Sequence, residues 1–426
     1  MKLKQALIQN TAWKAASLVF TFLNNLLIVR LLGVEESGKF FYAVVFLTLL
    51  ITALRLGIEN GITYLSGRYP NSTSVLFYLL FPLAIVQGFV TYYLLRFAHL
   101  FPLQFQTGWA VVFVVSNMML IYINAFYHAQ KLFKPLNFIG AIFTCLQTVF
   151  FTIFYFGPQS KSIDWAAQIF TVMSLACLCQ VLVQAAWFYI RHAYFFKQVN
   201  FSWLIFKGLF SYSGLSFISS ILFFLITRVD FYFVEKYCTG IEMGNYVQAA
   251  KIGQMALVLP GLLGGVVFPY AIQAPPNFVE KVSYLCRVMT ALFLILFIAL
   301  IITGSFMLPW LLGQQFTLVY GIMIASMPGI FCMSMSVVLL SYFEGKNQQG
   351  IILIANLLCL LLLISGDALM VKEYGYMAAA IIFSIANFAA MLVLSIRFMK
   401  VSSLPLLSLF AIKKSDLEEF RMTSHL

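Results

Sequence analysis

Charge is what this sequence has least of: 9% of its 426 residues are Asp, Glu, Lys or Arg, while 62% are hydrophobic. A protein surface in water needs about a quarter of its residues charged, so the chain is not a soluble globular protein. Its mean hydropathy of +0.95 points to lipid as the solvent. It also lacks a Gly-rich loop followed by Lys and Ser or Thr, so direct nucleotide hydrolysis is not expected. Its four histidines (His99, His128, His192, His425) are scattered and have no nearby partner in sequence for acid–base chemistry. No catalytic constellation, cofactor site or metal site is read, and the chain is not expected to be an enzyme. The seven cysteines are odd in number and lie mostly in apolar stretches. Cys177-x-Cys179 has no His or carboxylate company, so it reads as packing rather than metal binding.

What is present is a succession of apolar runs, centred on about 8–30, 40–64, 75–97, 108–127, 136–156, 165–190, 209–234, 245–272, 288–308, 318–342, 350–371 and 376–397. At about 20 apolar residues per crossing these predict an all-α polytopic membrane protein of about twelve transmembrane helices. No room is left for a soluble head. The first run continues through Arg30-Leu31-Leu32-Gly33 without a cleavage site of small residues and is read as a retained span. The net charge of +12 is not a nucleic-acid signal, because its distribution alternates along the chain. Of the Lys and Arg residues outside the spans, 16 fall in segments on the side of the N-terminus, among them Arg68, Lys134, Arg191, Lys281 and Lys346. Only 6 fall on the other side (Arg30, Lys39, Arg96, Lys161, Lys236 and Lys372). This bias puts both termini in the cytoplasm.

The two halves echo one another. Gly33-Val34-Glu35-Glu36-Ser37-Gly38-Lys39-Phe40 returns as Gly240-Ile241-Glu242-Met243-Gly244-Asn245-Tyr246, and Tyr127 with Lys131 returns as Tyr342 with Lys346. The offsets agree to within a loop indel, as a duplicated unit requires. The expected organisation is an N-terminal six-helix lobe at 1–200, a C-terminal six-helix lobe at 201–400 and a cytoplasmic tail at 401–426. Six helices per copy is an even number, so both copies share one orientation, related by internal pseudo-symmetry.

At these residues the chain resembles the polysaccharide flippases (O-antigen and capsule type) of the multidrug/oligosaccharidyl-lipid/polysaccharide exporter superfamily. The stretches that carry the resemblance are Arg30-Leu31-Leu32-Gly33 with Gly38, then Asp230 followed by the Gly240–Tyr246 motif and Ala249-Ala250-Lys251. Leu259-Pro260 and Phe268-Pro269 close the pattern. The chain departs from the commoner pattern in its very aromatic body, with 45 Phe and 21 Tyr. The resemblance implies a V-shaped pair of six-helix bundles around a central cavity, in a bacterial cytoplasmic membrane. It also implies alternating access and, as substrate, an undecaprenyl-diphosphate-linked oligosaccharide within the membrane lipid. The implied partners are a polysaccharide polymerase and assembly proteins of surface polysaccharide biosynthesis. A coupling ion, Na+ or H+, belongs to that reading.

Independently of the resemblance, ionisable residues stand inside spans: Lys14, Arg55, Arg228, Asp230 and Lys251. Each costs roughly 2.5–3.5 kcal/mol at a span centre and is tolerated where protein or water shields it. Arg55 lies about 20 Å of helix from both Phe40 and Arg68, near the midplane. The excess is cationic and suits a diphosphate, with amides such as Asn24, Asn25 and Asn117 available to sugar hydroxyls. Arg55 and Lys251 are expected to line the cavity. For Lys14 and Arg228, cavity lining and snorkelling to a membrane face both stay open. For Asp230, a structural pair with a cation of a neighbouring span and a coupling role both stay open; Arg228 is a poor partner because residues two apart on a helix do not face each other. Glu59 with Asn60-Gly61 reads as the frayed cytoplasmic end of span two. Pro260, Gly261, Gly264, Gly265 and Pro328-Gly329 permit kinks.

Two other functions compete. A multidrug exporter of the same superfamily would favour an acidic cavity for cationic drugs. A membrane polymerase or ligase would need a long outer loop, and every outer loop here is shorter than about 20 residues.

Overall fold

The computed structural model describes residues 3–69, 72–97, 106–130, 132–157, 164–196, 203–273, 278–346, 348–402 and 405–411. The described chain is helical throughout: α1 (Leu3–Leu54), α2 (Ile58–Arg68), α3 (Ser72–Phe97), α4 (Thr107–Ala129), α5 (Phe133–Phe156), α6 (Trp165–Arg191), α7 (Trp203–Ile226), α8 (Val229–Tyr237), α9 (Gly240–Ala256), α10 (Val258–Gln273), α11 (Phe278–Leu312), α12 (Val319–Gly345) and α13 (Gln349–Ser402). Short 3₁₀ turns follow α6 at Ala193–Phe196 and α13 at Leu406–Leu409.

These helices make twelve spans once their turns and breaks are placed. α1 holds two spans, because Gly33 inside it has φ 75 and ψ −178, a backbone region open almost only to glycine. That conformation explains why the Arg30–Gly33 stretch ends in glycine. α13 likewise turns at Gly375 and holds the last two spans. The second span is completed by α2, the seventh is α7 with α8, and the eighth is α9 with α10. The expectation of about twelve helices is met, and the chain is a multi-pass helical membrane protein.

The molecule divides into two compact units, Met1–Phe224 and Leu225–Leu426. The division falls inside span seven, beyond the boundary at 200/201 expected from the repeat. The reason lies in close contact of α7 with α2. A Cβ at Gly61 would stand 2.8 Å from both Leu209 Cδ1 and Ser213 Oγ, and one at Gly208 would touch Leu65 at 3.6 Å. Small residues let helix backbones approach this closely in lipid, where no hydrophobic force draws helices together.

In the first unit α4 is the inner helix. Its Phe126 and Tyr127 are fully buried with Phe188 of α6, and the Tyr127 hydroxyl donates to the Gln184 carbonyl at 2.9 Å. In the second unit α12 takes the same place. Tyr342, the residue that echoes Tyr127, is 1% exposed and packs against Phe278 and Phe398.

The Gly240–Tyr246 motif is accounted for residue by residue. Thr239 and Glu242 form a reciprocal cap at the start of α9, which satisfies donors that lipid could not. Asn245 Oδ1 accepts from the Leu318 N–H at the entrance to α12, at 3.1 Å. Tyr246 reaches Asp230.

At the Pro328-Gly329 step the ladder of α12 takes in a group from another helix. Ser384 inserts its hydroxyl into the α12 ladder, accepting from the Gly329 N–H at 3.0 Å and donating to the Ala325 carbonyl at 2.7 Å. Ser384→Ala should therefore cost about 0.6–1.7 kcal/mol, read as a lower thermal midpoint of the detergent-solubilised protein. An unchanged midpoint would mean that the ladder closes without this hydroxyl.

After α13 the chain turns back on the second unit. Leu409 is fully buried, Phe410 meets the ring of Phe331 on α12, and the Ser408 carbonyl accepts from Arg287 Nη1 on α11 at 2.8 Å. Phe331 lies about 16 Å of helix from Tyr342, so the segment after α13 climbs back alongside the spans.

Candidate functional site

The second span is interrupted where the sequence placed its most central charge. Helix α1 ends at Leu54, and the backbone turns through Arg55, Leu56 (φ 52) and Gly57 (φ 69) before α2 begins at Ile58. A break inside a membrane frees carbonyls that lipid cannot satisfy. Here the Leu54 carbonyl accepts from Gln87 Nε2 at 2.8 Å, and the Arg55 carbonyl accepts from the Tyr122 hydroxyl at 3.3 Å. Gln87 also donates to the Tyr122 oxygen at 2.8 Å, which ties α3 and α4 to the turn. Gly57 is required on two counts: its φ is left-handed, and a Cβ there would stand 2.6 Å from the Ser213 carbonyl oxygen.

Arg55 Nη1 lies 3.2 Å from Glu59 Oε1, with the two side chains 21% and 14% exposed. Arg55 Nε and Glu59 Oε2 are buried and make no hydrogen bond among the described residues. The expectation that Glu59 marks a frayed span end is corrected, since α2 runs on to Arg68. Glu59 belongs to the first turn of a half-helix, where an acidic group suits the helix dipole.

In the second unit, span seven breaks at Thr227–Arg228 and span eight at Leu257. Arg228 does not snorkel. Its Nη2 donates to Gln254 Oε1 at 2.6 Å, and its guanidinium lies 5.0 Å from the Phe231 ring centroid. Asp230 is 4% exposed and takes the Tyr246 hydroxyl on one oxygen at 2.5 Å and its neighbour's Phe231 N–H on the other at 3.0 Å. Its inter-helix partner is thus a tyrosine on α9, where the sequence reading offered a cation. Lys251 is half-buried on α9, about 16 Å of helix from Gly240, and its charge interacts unfavourably with that of Arg228.

Asp367 of α13 was absent from the sequence reading. It is fully buried, neither carboxyl oxygen makes a hydrogen bond among the described residues, and its charge interacts unfavourably with that of Asp230. Asp230 is about 11 Å of helix from the end of α8 and Asp367 about 12 Å from the Gly375 turn, so the two carboxyl groups sit at similar depth. A cavity of about 40 Å³ borders Asp230, lined also by Thr227, Tyr246, Gly253, Gln254 and Ser326 among apolar side chains. That is room for an ion or a water or two with polar partners.

The remaining candidates are dispersed. Asn25 is buried on α1. Asn24 donates to the Thr144 carbonyl at 3.3 Å, and Asn117 to the Phe113 carbonyl of its own helix at 2.8 Å. Lys14 lies on α1, and its side chain is outside the described residues. With Glu59 and Asp367 beside Asp230 inside spans, the cationic excess read from the sequence narrows. Asp367 was detectable as an ionisable residue within the apolar run 350–371; its nearness to the end of that run hid it.

No protein-family model matches this chain, and no curated protein matches it in sequence. Solved structures do match in fold. The lipid II flippase MurJ in an inward closed conformation superposes with a TM-score of 0.74 at 15% identity, over 94% of this chain and 89% of that one. The Vibrio cholerae MATE transporter VcmN does so with a TM-score of 0.66 at 13% identity, over 95% and 98%. A MOP superfamily transporter from Pyrococcus furiosus gives 0.61 at 16% identity, over 94% and 96%. At these identities the likeness is one of fold, and it extends over nearly the whole chain: twelve spans in two six-helix bundles, the fold of the multidrug/oligosaccharidyl-lipid/polysaccharide transporters.

Proposed function

We propose that this protein is a flippase that carries an undecaprenyl-diphosphate-linked oligosaccharide across a bacterial cytoplasmic membrane by alternating access, with both termini cytoplasmic. Its product would feed surface polysaccharide assembly (O-antigen, capsule or exopolysaccharide) through a polymerase and its assembly proteins. The observation that carries this reading is Arg55, a guanidinium at a helix break within span two whose backbone is secured by Gln87 and Tyr122. It is still a fifth exposed beside its one carboxylate. A guanidinium so placed recognises phosphate oxygens through paired, charge-assisted hydrogen bonds. Lys251, Arg228, Lys14 and Asn25 are the further substrate-binding residues of this proposal. The fold shared with a lipid II flippase supports the same substrate class. The test is flipping in proteoliposomes: the diphosphate-linked oligosaccharide should cross, and a cationic drug should neither cross nor compete. Transport of the drug alone would establish the exporter reading instead.

Asp230 and Asp367 are the place proposed for coupling. Two buried carboxyl groups that repel each other gain from a shared cation or proton, and the cavity that borders Asp230 has space for one on its way to or from the carboxyl groups. Asp367→Asn should reduce the component of flipping driven by an imposed Na+ or pH gradient at least about tenfold, while the gradient-free rate changes little. A variant whose flipping follows the gradient as the parent does would remove Asp367 from the coupling site.

A further inference from the structure

We infer that Glu59 is a resident placeholder for the substrate's diphosphate: it holds Arg55 in the empty transporter and gives it up when the headgroup arrives. This rests on the flippase reading above and adds to it a residue that sets affinity and release.

The pair is built for exchange. The strongest arginine–carboxylate pairs are forked, two nitrogens to two oxygens. Here one nitrogen meets one oxygen at 3.2 Å, while Arg55 Nε and Glu59 Oε2 make no hydrogen bond among the described residues. The fold at the break does not depend on the pair. The Leu54 carbonyl accepts from Gln87, and the Arg55 carbonyl accepts from the Ile58 N–H and the Tyr122 hydroxyl, so the Arg55 side chain can change partner while its backbone stays fixed.

Glu59 keeps a second source of stabilisation after it is displaced. It stands in the first turn of α2, where the positive end of the helix dipole favours its charge. A diphosphate offers Arg55 several oxygens in place of one, so the exchange runs forward on binding. When the headgroup leaves, the tethered carboxylate competes for the same guanidinium at high local concentration, which speeds release. A transporter needs this balance, because a site that binds its cargo too well does not turn over.

The experiment uses the full chain in nanodiscs, with undecaprenyl diphosphate as probe and undecaprenol as the uncharged control, alongside flipping rates in proteoliposomes. Glu59→Gln should bind undecaprenyl diphosphate about tenfold more tightly than the parent and flip it more slowly, with undecaprenol binding unchanged. The gain should vanish when Arg55→Ala is added. If Arg55→Ala weakens binding but Glu59→Gln does not tighten it, the placeholder is wrong and the flippase reading stands. If Glu59→Gln tightens binding equally with Arg55 absent, the carboxylate acts by general repulsion and the placeholder is again wrong. If Arg55→Ala leaves binding unchanged, the assignment of Arg55 to the substrate fails as well. Thermal midpoints are measured throughout. Should Glu59→Gln fold poorly, Glu59→Met, uncharged and of similar length, carries the same expectation.

Discussion

Arg55→Ala is expected to lower oligosaccharide transport by about 30–150-fold, the effect of losing charge-assisted hydrogen bonds of about 2–3 kcal/mol to a phosphate. Arg55→Lys should retain more, because a point charge survives although the fork does not. The alanine variant also strands Glu59, whose side chain is 14% exposed, and an uncompensated buried carboxylate destabilises a fold. Membrane abundance must therefore be followed together with accumulation of the lipid-linked intermediate. The double variant Arg55→Ala, Glu59→Gln separates the two effects, since it should restore abundance without restoring transport. Full export by either protein at normal abundance would end the cationic-site assignment.

Gly57→Ala should deplete the folded protein itself. The residue sits at φ 69, where an L side chain costs roughly 1–2 kcal/mol. Its new Cβ would stand 2.6 Å from the Ser213 carbonyl oxygen and 3.0 Å from the Phe217 nitrogen, both backbone atoms of α7. Overpacking of this kind adds about 1–3 kcal/mol. The measurement is the fraction of monodisperse protein after solubilisation, with its thermal midpoint. Gly108→Ala is the control, since a Cβ at Gly108 meets nothing within 4 Å. Equal behaviour of the two variants would mean that α2 and α7 do not approach as described.

The spans were legible because lipid imposes one rule along the whole chain, and the apolar runs follow α3 to α6 and α11 to α13 closely. The interruptions were not. Gly57 and Asn60-Gly61 allow a helix to stop near Arg55, but the groups that make a stop tolerable inside a span are Gln87 and Tyr122, 33 and 67 residues from the carbonyls they meet. A continuous apolar run and a broken span look alike until those partners are in place. A count of charges along the chain does not show which groups they meet. Glu59 was taken for a span end because a Glu-Asn-Gly sequence ordinarily is one. For Asp230 the sequence leaves a cation partner and a coupling role open, and nothing in it points to a tyrosine 16 residues on. The Gly33 and Gly240 stretches do fall at like junctions, between the first and second spans and between the seventh and eighth. Their backbones solve the turn differently, one with a glycine conformation and the other with a cap.

The segment that folds back after α13 bears on how the protein is made. Arg287 is 7% exposed on α11, and the carbonyl it donates to lies 121 residues later in the chain. At about 5–20 residues per second of synthesis, Ser408 emerges roughly 6–24 s after Arg287. Through that interval the ninth span is without this bond. Three further spans must be threaded before the contact can form, so the last step in assembling the second unit is the return of residues 405–411.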